Sequence, residues 1–215
     1  MTVVKVCGIR SLAEGRAALE AGANLLGFVF WPGSKRFLPP SEAATIIAHL
    51  RAESLAWSAV GVFVDPTPAE ADEAARVCGL DYVQLSGDED AARVRAMPLP
   101  TLKAIHVRAG QEAAAAETIA SNALDAHLYL LDTHTEGMYG GTGRAFDWDA
   151  LRPVGPRCLV AGGLRPDNVG LALAALAPLG VDVSSGVEFP GGGKDPRLIR
   201  AFVEAVKTYD RGSVQ

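Results

Sequence analysis

Short apolar runs alternate with longer amphipathic ones from one end of the chain to the other. The apolar runs are Val3–Ile9, Leu25–Phe30, Ala59–Asp65, Tyr82–Gly87, Thr101–Val107, Leu128–Thr133, Cys158–Leu164 and Val181–Val187. Their length, and the Gly or Asp at many of their ends, predict buried strands. Between them lie Ala-, Glu- and Arg-rich segments that predict helices over Ser11–Ala21, Ser41–Ala52, Pro68–Cys78, Gln111–Asn122, Pro166–Ala177 and Pro196–Tyr209, with a shorter one in Asp88–Met97. Several open on a start signal: Ser11, Ser41, Thr67-Pro68, Arg165-Pro166 and Asp195-Pro196. The sixth unit differs. After Asp132 comes a polar, Gly-rich loop, with only a short helix near Asp147–Leu151.

Alternating strands and helices predict parallel strands joined by helical crossovers. Eight units in 215 residues predict a closed (β/α)8 barrel at the compact end of its size range. A doubly wound open sheet would carry GxGxxG after its first strand, and Cys7-Gly8-Ile9-Arg10 is not that. No linker or composition shift divides the chain, so one domain is expected over 1–210. The polar end, 211–215, is expected to fray.

Strand alternation then assigns faces. Val3, Lys5 and Cys7 share one face of the first strand; Gln84 and Ser86 share one in the fourth. Asp132 lies with Leu128 and Leu130 in the sixth, and Asp182 with Ser184 in the eighth. The opposite faces are apolar and suited to meet helices, so the polar set points into the barrel. The first and last strands are neighbours in a closed barrel. Lys5 and Asp182 are therefore expected to pair inside it, because a buried charge needs a partner; a substrate role is the other reading. Cys7 and Asp132 end their strands, on the side where barrel active sites are built.

Charge and cysteine content narrow the classes. Twenty Lys and Arg against 25 Asp and Glu give a net charge of −5, the wrong balance for a general nucleic-acid binder. An anionic ligand would have to be held by backbone amides and a few placed cations. Three spaced cysteines, Cys7, Cys78 and Cys158, with no CxxC argue against a disulfide framework or a cysteine metal site, and no other metal-spaced cluster occurs. A reducing cytoplasm is the expectation. No signal-peptide core and no long apolar stretch predict a membrane segment.

Glycine patterns suggest the ligand. Gly162-Gly163 ends the seventh strand and Ser184-Ser185-Gly186 ends the eighth, where barrels commonly bind phosphate through backbone N–H groups. Tight turns are the plainer reading. Pro190-Gly191-Gly192-Gly193 is a candidate start for the extra helix such sites use.

Five segments in register carry a resemblance: Lys5-Val6-Cys7-Gly8-Ile9; Gly27-Phe28-Val29-Phe30 with Ser34-Lys35-Arg36; Leu131-Asp132 with Gly140-Gly141-Thr142-Gly143; Ala161-Gly162-Gly163-Leu164; and Val181-Asp182-Val183-Ser184-Ser185-Gly186-Val187-Glu188 with Lys194-Asp195. Together they resemble the phosphoribosylanthranilate isomerases of tryptophan biosynthesis, over nearly the whole chain. The resemblance implies a cofactor-free Amadori rearrangement of a small-molecule substrate, with Cys7 as general base, Asp132 as general acid and Arg36 on the substrate carboxylate. Gly162, Gly163, Ser184, Ser185 and Gly186 would hold the phosphate. The chemistry agrees: opening a furanosylamine needs an acid at the ring oxygen, and the next step needs a base at C2′. Gly141, Thr142 and Gly143 read as a lid or pocket wall, or equally as a segment disordered without ligand. Ser86 stands where the family usually has a histidine, in QLSG for QLHG. His106 and His134 are the nearest histidines and read as plain hydrogen-bonding residues. A histidine-pathway type of barrel isomerase and a non-catalytic phosphosugar binder are the rival readings; the first generally uses two aspartates, where this chain has Cys7. Oligomeric state is not legible.

Overall fold

A computed structural model describes residues 1–53, 56–132 and 148–212. Eight parallel strands close in sequence order into one barrel: β1 (Val3–Cys7), β2 (Leu25–Val29), β3 (Ser58–Phe63), β4 (Tyr82–Leu85), β5 (Thr101–His106), β6 (Leu128–Asp132), β7 (Cys158–Ala161) and β8 (Gly180–Val183). The helices outside are α1 (Leu12–Ala21), α2 (Pro40–Glu53), α3 (Pro68–Cys78), α4 (Ala91–Arg95), α5 (Glu112–Ala120), α6 (Trp148–Leu151), α7 (Val169–Leu176) and α8 (Pro196–Gly212). The (β/α)8 expectation is met.

Local chemistry starts and stops these helices. Ser11 Oγ accepts from the Glu14 N–H, and Thr67 forms a capping box with Glu70 ahead of Pro68. Each satisfies orphan donors of a first turn. Gly79 closes α3 at φ 65°, a left-handed conformation that suits glycine. In α8 a stripe of Ile199, Phe202, Val203 and Val206 is buried. At roughly 1.5–3 kcal/mol for each buried apolar side chain, such stripes and not helix propensity hold the outer ring.

The strands alternate as the pattern requires. Leu25, Val60, Leu102, Ala104, Leu130, Leu159 and Ala161 form the barrel interior. Cys7, Val29 and Val62 form a separate small cluster. Outward residues such as Val4, Val6, Leu26, Phe28, Leu131 and Val160 join the larger core under the helices. Lys5 is fully buried in the interior, and its register partner on β8 is Asp182.

Four boundaries differ from the sequence expectation for local reasons. β1 ends at Cys7 because Gly8 turns the chain at φ 82°, and β7 ends at Ala161 because Gly162 and Gly163 take φ 96° and 63°. Pro166 does not begin α7: the Asn168 side chain ties the preceding loop instead, accepting from Arg165 N at 2.7 Å and donating to the Gly163 carbonyl at 3.0 Å. Helix α8 continues past the expected fray point to Gly212, and Asp210 is anchored by Thr2, whose N and Oγ1 donate to its carboxylate at 2.9 and 2.6 Å.

Candidate active site

The C-terminal ends of the strands gather the polar residues at one mouth of the barrel. Cys7 closes β1, with its Sγ beside the Lys5 ammonium. Gly27 on β2 makes room for both: a Cβ there would lie 2.8 Å from Cys7 Sγ and 3.2 Å from Lys5 Nζ. Lys5 Nζ donates to Asp182 Oδ1 at 3.0 Å. The interior pair expected from the sequence is present, and it sits directly under the thiol.

Burial pushes the Cys7 thiol up from its ordinary value. The charges of Lys5 and Lys194 work against that rise, and Asp182 adds to it. Burial also disfavours the Lys5 ammonium, but Asp182 and Cys7 outweigh it and the group titrates higher than usual. Cys78 and Cys158 are buried on the helix side of the barrel, and burial takes their thiols up to about 11 and about 12. Both lie in the apolar core under the helices.

Arg36 comes from the loop after β2 and lies across the end of β1. A Cβ on Gly8 would sit 2.5 Å from its Cδ, so glycine is required beneath it. Its guanidinium is not solvated as a surface arginine would be. Nε and Nη2 donate to the two oxygens of Glu188 at 2.6 and 2.9 Å. Lys194, buried, donates to the same carboxylate at 2.8 Å and to the Ser184 carbonyl at 3.1 Å. Burial alone would raise the Glu188 carboxyl, but the Arg36 and Lys194 hydrogen bonds overcome it and hold it at about 2. Burial lowers the Lys194 ammonium in turn, against the pull of Glu188. Glu188 and Lys194 lie in the sequence motifs, which by themselves assign them no role. The signal was there in a cation and an anion flanking a glycine run, but their partner Arg36 lies 152 residues from Glu188.

The glycine loops after β7 and β8 meet. A Cβ on Gly186 would be 1.8 Å from the Leu164 carbonyl oxygen, so backbone packs on backbone there. Ser185–Val187 forms one 3₁₀ turn. The Ser184 hydroxyl is already committed inside the site: it donates to the Cys7 carbonyl at 3.0 Å and accepts from Lys194 at 3.3 Å. Gly162, Gly163, Ser185 and Gly186 leave backbone as their contribution.

On the far side of the mouth, Asp132 ends β6 in register with His106 of β5. His106 Nδ1 is 3.1 Å from Asp132 Oδ2, and Nε2 is 3.1 Å from the Ser86 carbonyl oxygen. His106, expected to be a plain hydrogen-bonding residue, has the Asp132 carboxylate as its partner. The Ser86 hydroxyl accepts from Gln84 Nε2 at 3.1 Å. Gly141, Thr142, Gly143 and His134 lie outside the described residues.

Lys103 of β5 is a further buried polar residue. It points out of the barrel yet is buried, donating to Glu89 at 2.9 Å and to the Gly87 carbonyl at 2.7 Å. Glu89 accepts in turn from the Asp65 and Gly87 N–H groups, which ties the loops after β3 and β4 together.

Fold and site together define a (β/α)8 barrel enzyme whose polar residues gather at the C-terminal mouth. The family model described as N-(5′phosphoribosyl)anthranilate (PRA) isomerase matches residues 4–205. A relative from Syntrophomonas wolfei named N-(5′-phosphoribosyl)anthranilate isomerase is 44% identical over 96% of this chain and 98% of its own. One of the same name from Syntrophus aciditrophicus is 41% identical over 97% and 89%. Among solved structures, the phosphoribosyl anthranilate isomerase of Thermotoga maritima matches with TM-score 0.82 and 37% identity, over 97% of this chain and 100% of that one. Another of that name, solved with reduced 1-(o-carboxyphenylamino)-1-deoxyribulose 5-phosphate, matches with TM-score 0.81 and 34% identity over 97% and 100%. The chain belongs to the phosphoribosylanthranilate isomerase family. Neither rival reading is favoured by these matches. Among the described residues no helix is long and apolar enough to cross a membrane.

Proposed function

We propose that the protein converts N-(5-phosphoribosyl)anthranilate to 1-(2-carboxyphenylamino)-1-deoxyribulose 5-phosphate, with Cys7 as base and Asp132 as acid. The observation that carries the residue roles is their placement: each ends its strand on the interior face, on opposite sides of one mouth. Asp132 protonates the furanose oxygen as its bond to C1′ breaks, and the anthranilate nitrogen supplies electrons to form an iminium. Cys7 then takes the C2′ proton, and the resulting enolamine shifts to the aminoketone. Only the thiolate is a base. Burial makes it the minority form, and the neighbouring ammonium groups of Lys5 and Lys194 limit its cost.

Arg36 is the carboxylate anchor in this reading. Glu188 takes Nε and one hydrogen of Nη2, which leaves the Nη1 edge of the fork for the anthranilate carboxylate. The backbone of Gly162, Gly163, Ser185 and Gly186, with Ser184 behind it, receives the phosphate. Free buried cysteines suit a reducing compartment, and the cytoplasm is the expected location.

The test is loss of substrate fluorescence, with substrate generated in situ, for the parent, Cys7→Ala and Asp132→Asn. The reading expects turnover by the parent and a loss of about 10²-fold or more in each variant. An inactive parent refutes the activity; an active Cys7→Ala or Asp132→Asn refutes that role.

A further inference from the structure

We infer that His106 and Asp132 hold one proton between them at rest, and that this proton is the one delivered to the furanose oxygen. The second half rests on the reading just given; the first stands on geometry alone.

Nε2 of His106 faces the Ser86 carbonyl oxygen at 3.1 Å. A carbonyl oxygen has lone pairs and no hydrogen, so Nε2 must be the donor and carry the proton. In a neutral imidazole, Nδ1 is then a bare acceptor. It faces Asp132 Oδ2 at 3.1 Å, and an ionised carboxylate only accepts. Two acceptors do not hydrogen-bond. A hydrogen therefore lies between Nδ1 and Oδ2. Imidazolium with carboxylate, and imidazole with carboxylic acid, are two forms of that same one-proton state. The main-chain oxygen of Ser86 thus selects the tautomer that makes the pair an acid.

The surroundings favour this state. The hydrogen bond to Asp132 raises the His106 titration above the ordinary imidazole value; burial opposes it and the Ser86 carbonyl assists. Lys103, also on β5, disfavours the cation, but its ammonium is paired with Glu89 at 2.9 Å. The imidazole is 52% exposed, so solvent can return the proton after each turnover.

The chemical need is plain. An isolated aspartic acid, with a pKa of about 3.9, is protonated in only roughly one molecule in a thousand at neutral pH. Sharing with an imidazole keeps a transferable proton at the carboxyl near neutrality. In the step itself, Asp132 gives its proton to the ring oxygen, which receives the electron pair of the breaking C1′–O bond. If the proton rests on Nδ1, it crosses to Asp132 in the same event. The pair is left as neutral imidazole and carboxylate. His106 acts through Asp132 and is a positioning residue. It also explains how the chain manages with Ser86: the imidazole comes from the next strand and uses only the backbone of residue 86.

The test has two arms. His106→Gln can still donate to Asp132 but cannot carry the mobile proton. Its kcat should fall about 10- to 100-fold at slightly alkaline pH, with KM within about twofold of the parent. The loss should shrink as pH falls, where solvent can supply the proton in place of the imidazole. In the second arm, nitrogen-15 NMR of the His106 ring should show Nε2 protonated in the parent, and the shared proton at Nδ1 lost at a higher pH than in Asp132→Asn. A Gln variant with parental kcat and pH profile overturns the inference. So does a neutral ring protonated on Nδ1, since that tautomer cannot donate to Ser86. A parent without turnover overturns the isomerase reading and the donor role with it, while the NMR arm still decides whether the pair holds its proton.

Discussion

The Lys5–Asp182 pair links stability to the Cys7 thiol, and replacing Lys5 with Met separates the two. Lys5 is fully buried, the Asp182 side chain is 8% exposed, and the 3.0 Å contact lies inside the barrel. Met matches the shape of Lys but leaves the Asp182 charge without its cation. Removing one partner of a buried pair costs about 3–5 kcal/mol. At roughly 2–4 °C per kcal/mol for a domain of this size, Lys5→Met should melt about 6–20 °C lower. The double variant Lys5→Met/Asp182→Leu removes both charges, and apolar replacement of a buried pair is close to neutral, so it should recover to within about 2 kcal/mol of the parent. Activity should not follow. With Lys5 gone, one of the two ammonium groups opposing the burial of Cys7 is lost, and the thiol should titrate higher still. Urea unfolding reads the stability, and the pH dependence of Cys7 alkylation reads the thiol; Cys78 and Cys158, held at about 11 and about 12, stay silent. A single variant within about 1 kcal/mol of the parent would refute the stability argument, being far below the cost of an unpaired buried charge. A double variant that regains full activity with its stability would refute the electrostatic link.

Three further outcomes follow from the same contacts. Glu188 is held at about 2, below its unfolded value, so its stabilisation is complete above about pH 4.3 and is lost as pH falls toward 2; the stability gap between the parent and Glu188→Gln should therefore narrow across that window in urea titrations. Gly27→Ala places a methyl 2.8 Å from Cys7 Sγ and should lower kcat by about tenfold or more with the fold retained, as judged by circular dichroism. Gly186→Ala drives a Cβ to 1.8 Å from the Leu164 carbonyl, and both loops must shift; it should raise KM and cost roughly 1–3 kcal/mol in unfolding.

How much of this was legible beforehand depends on the range of the interaction concerned. The placement of Cys7, Asp132 and the glycine pairs at strand ends could be read because each is set by its position on its own strand. Strand alternation is local, so it also put Lys5 and Asp182 on the inner face, and barrel closure then made them neighbours. Glu188, Lys194 and His106 could not be read the same way. Each draws its role from a partner on another element: Arg36 on the loop after β2, Ser184 at the end of β8, Asp132 on β6. Nor does a pattern of apolar residues say that Asn168 will tie a loop and delay α7, or that Thr2 will catch Asp210 and carry α8 to Gly212.

The sequence by itself determined the barrel, its order and which face of each strand looks inward, because hydrophobic periodicity and chain connectivity leave one economical way to bury eight parallel strands. The closed barrel was needed for the charges: which carboxylate holds Arg36, which cations stand by the Cys7 thiol, and which imidazole meets Asp132. Hydrogen bonds and ion pairs depend on separations of about 3 Å, and separations of that size between distant parts of a chain exist only once the barrel has closed.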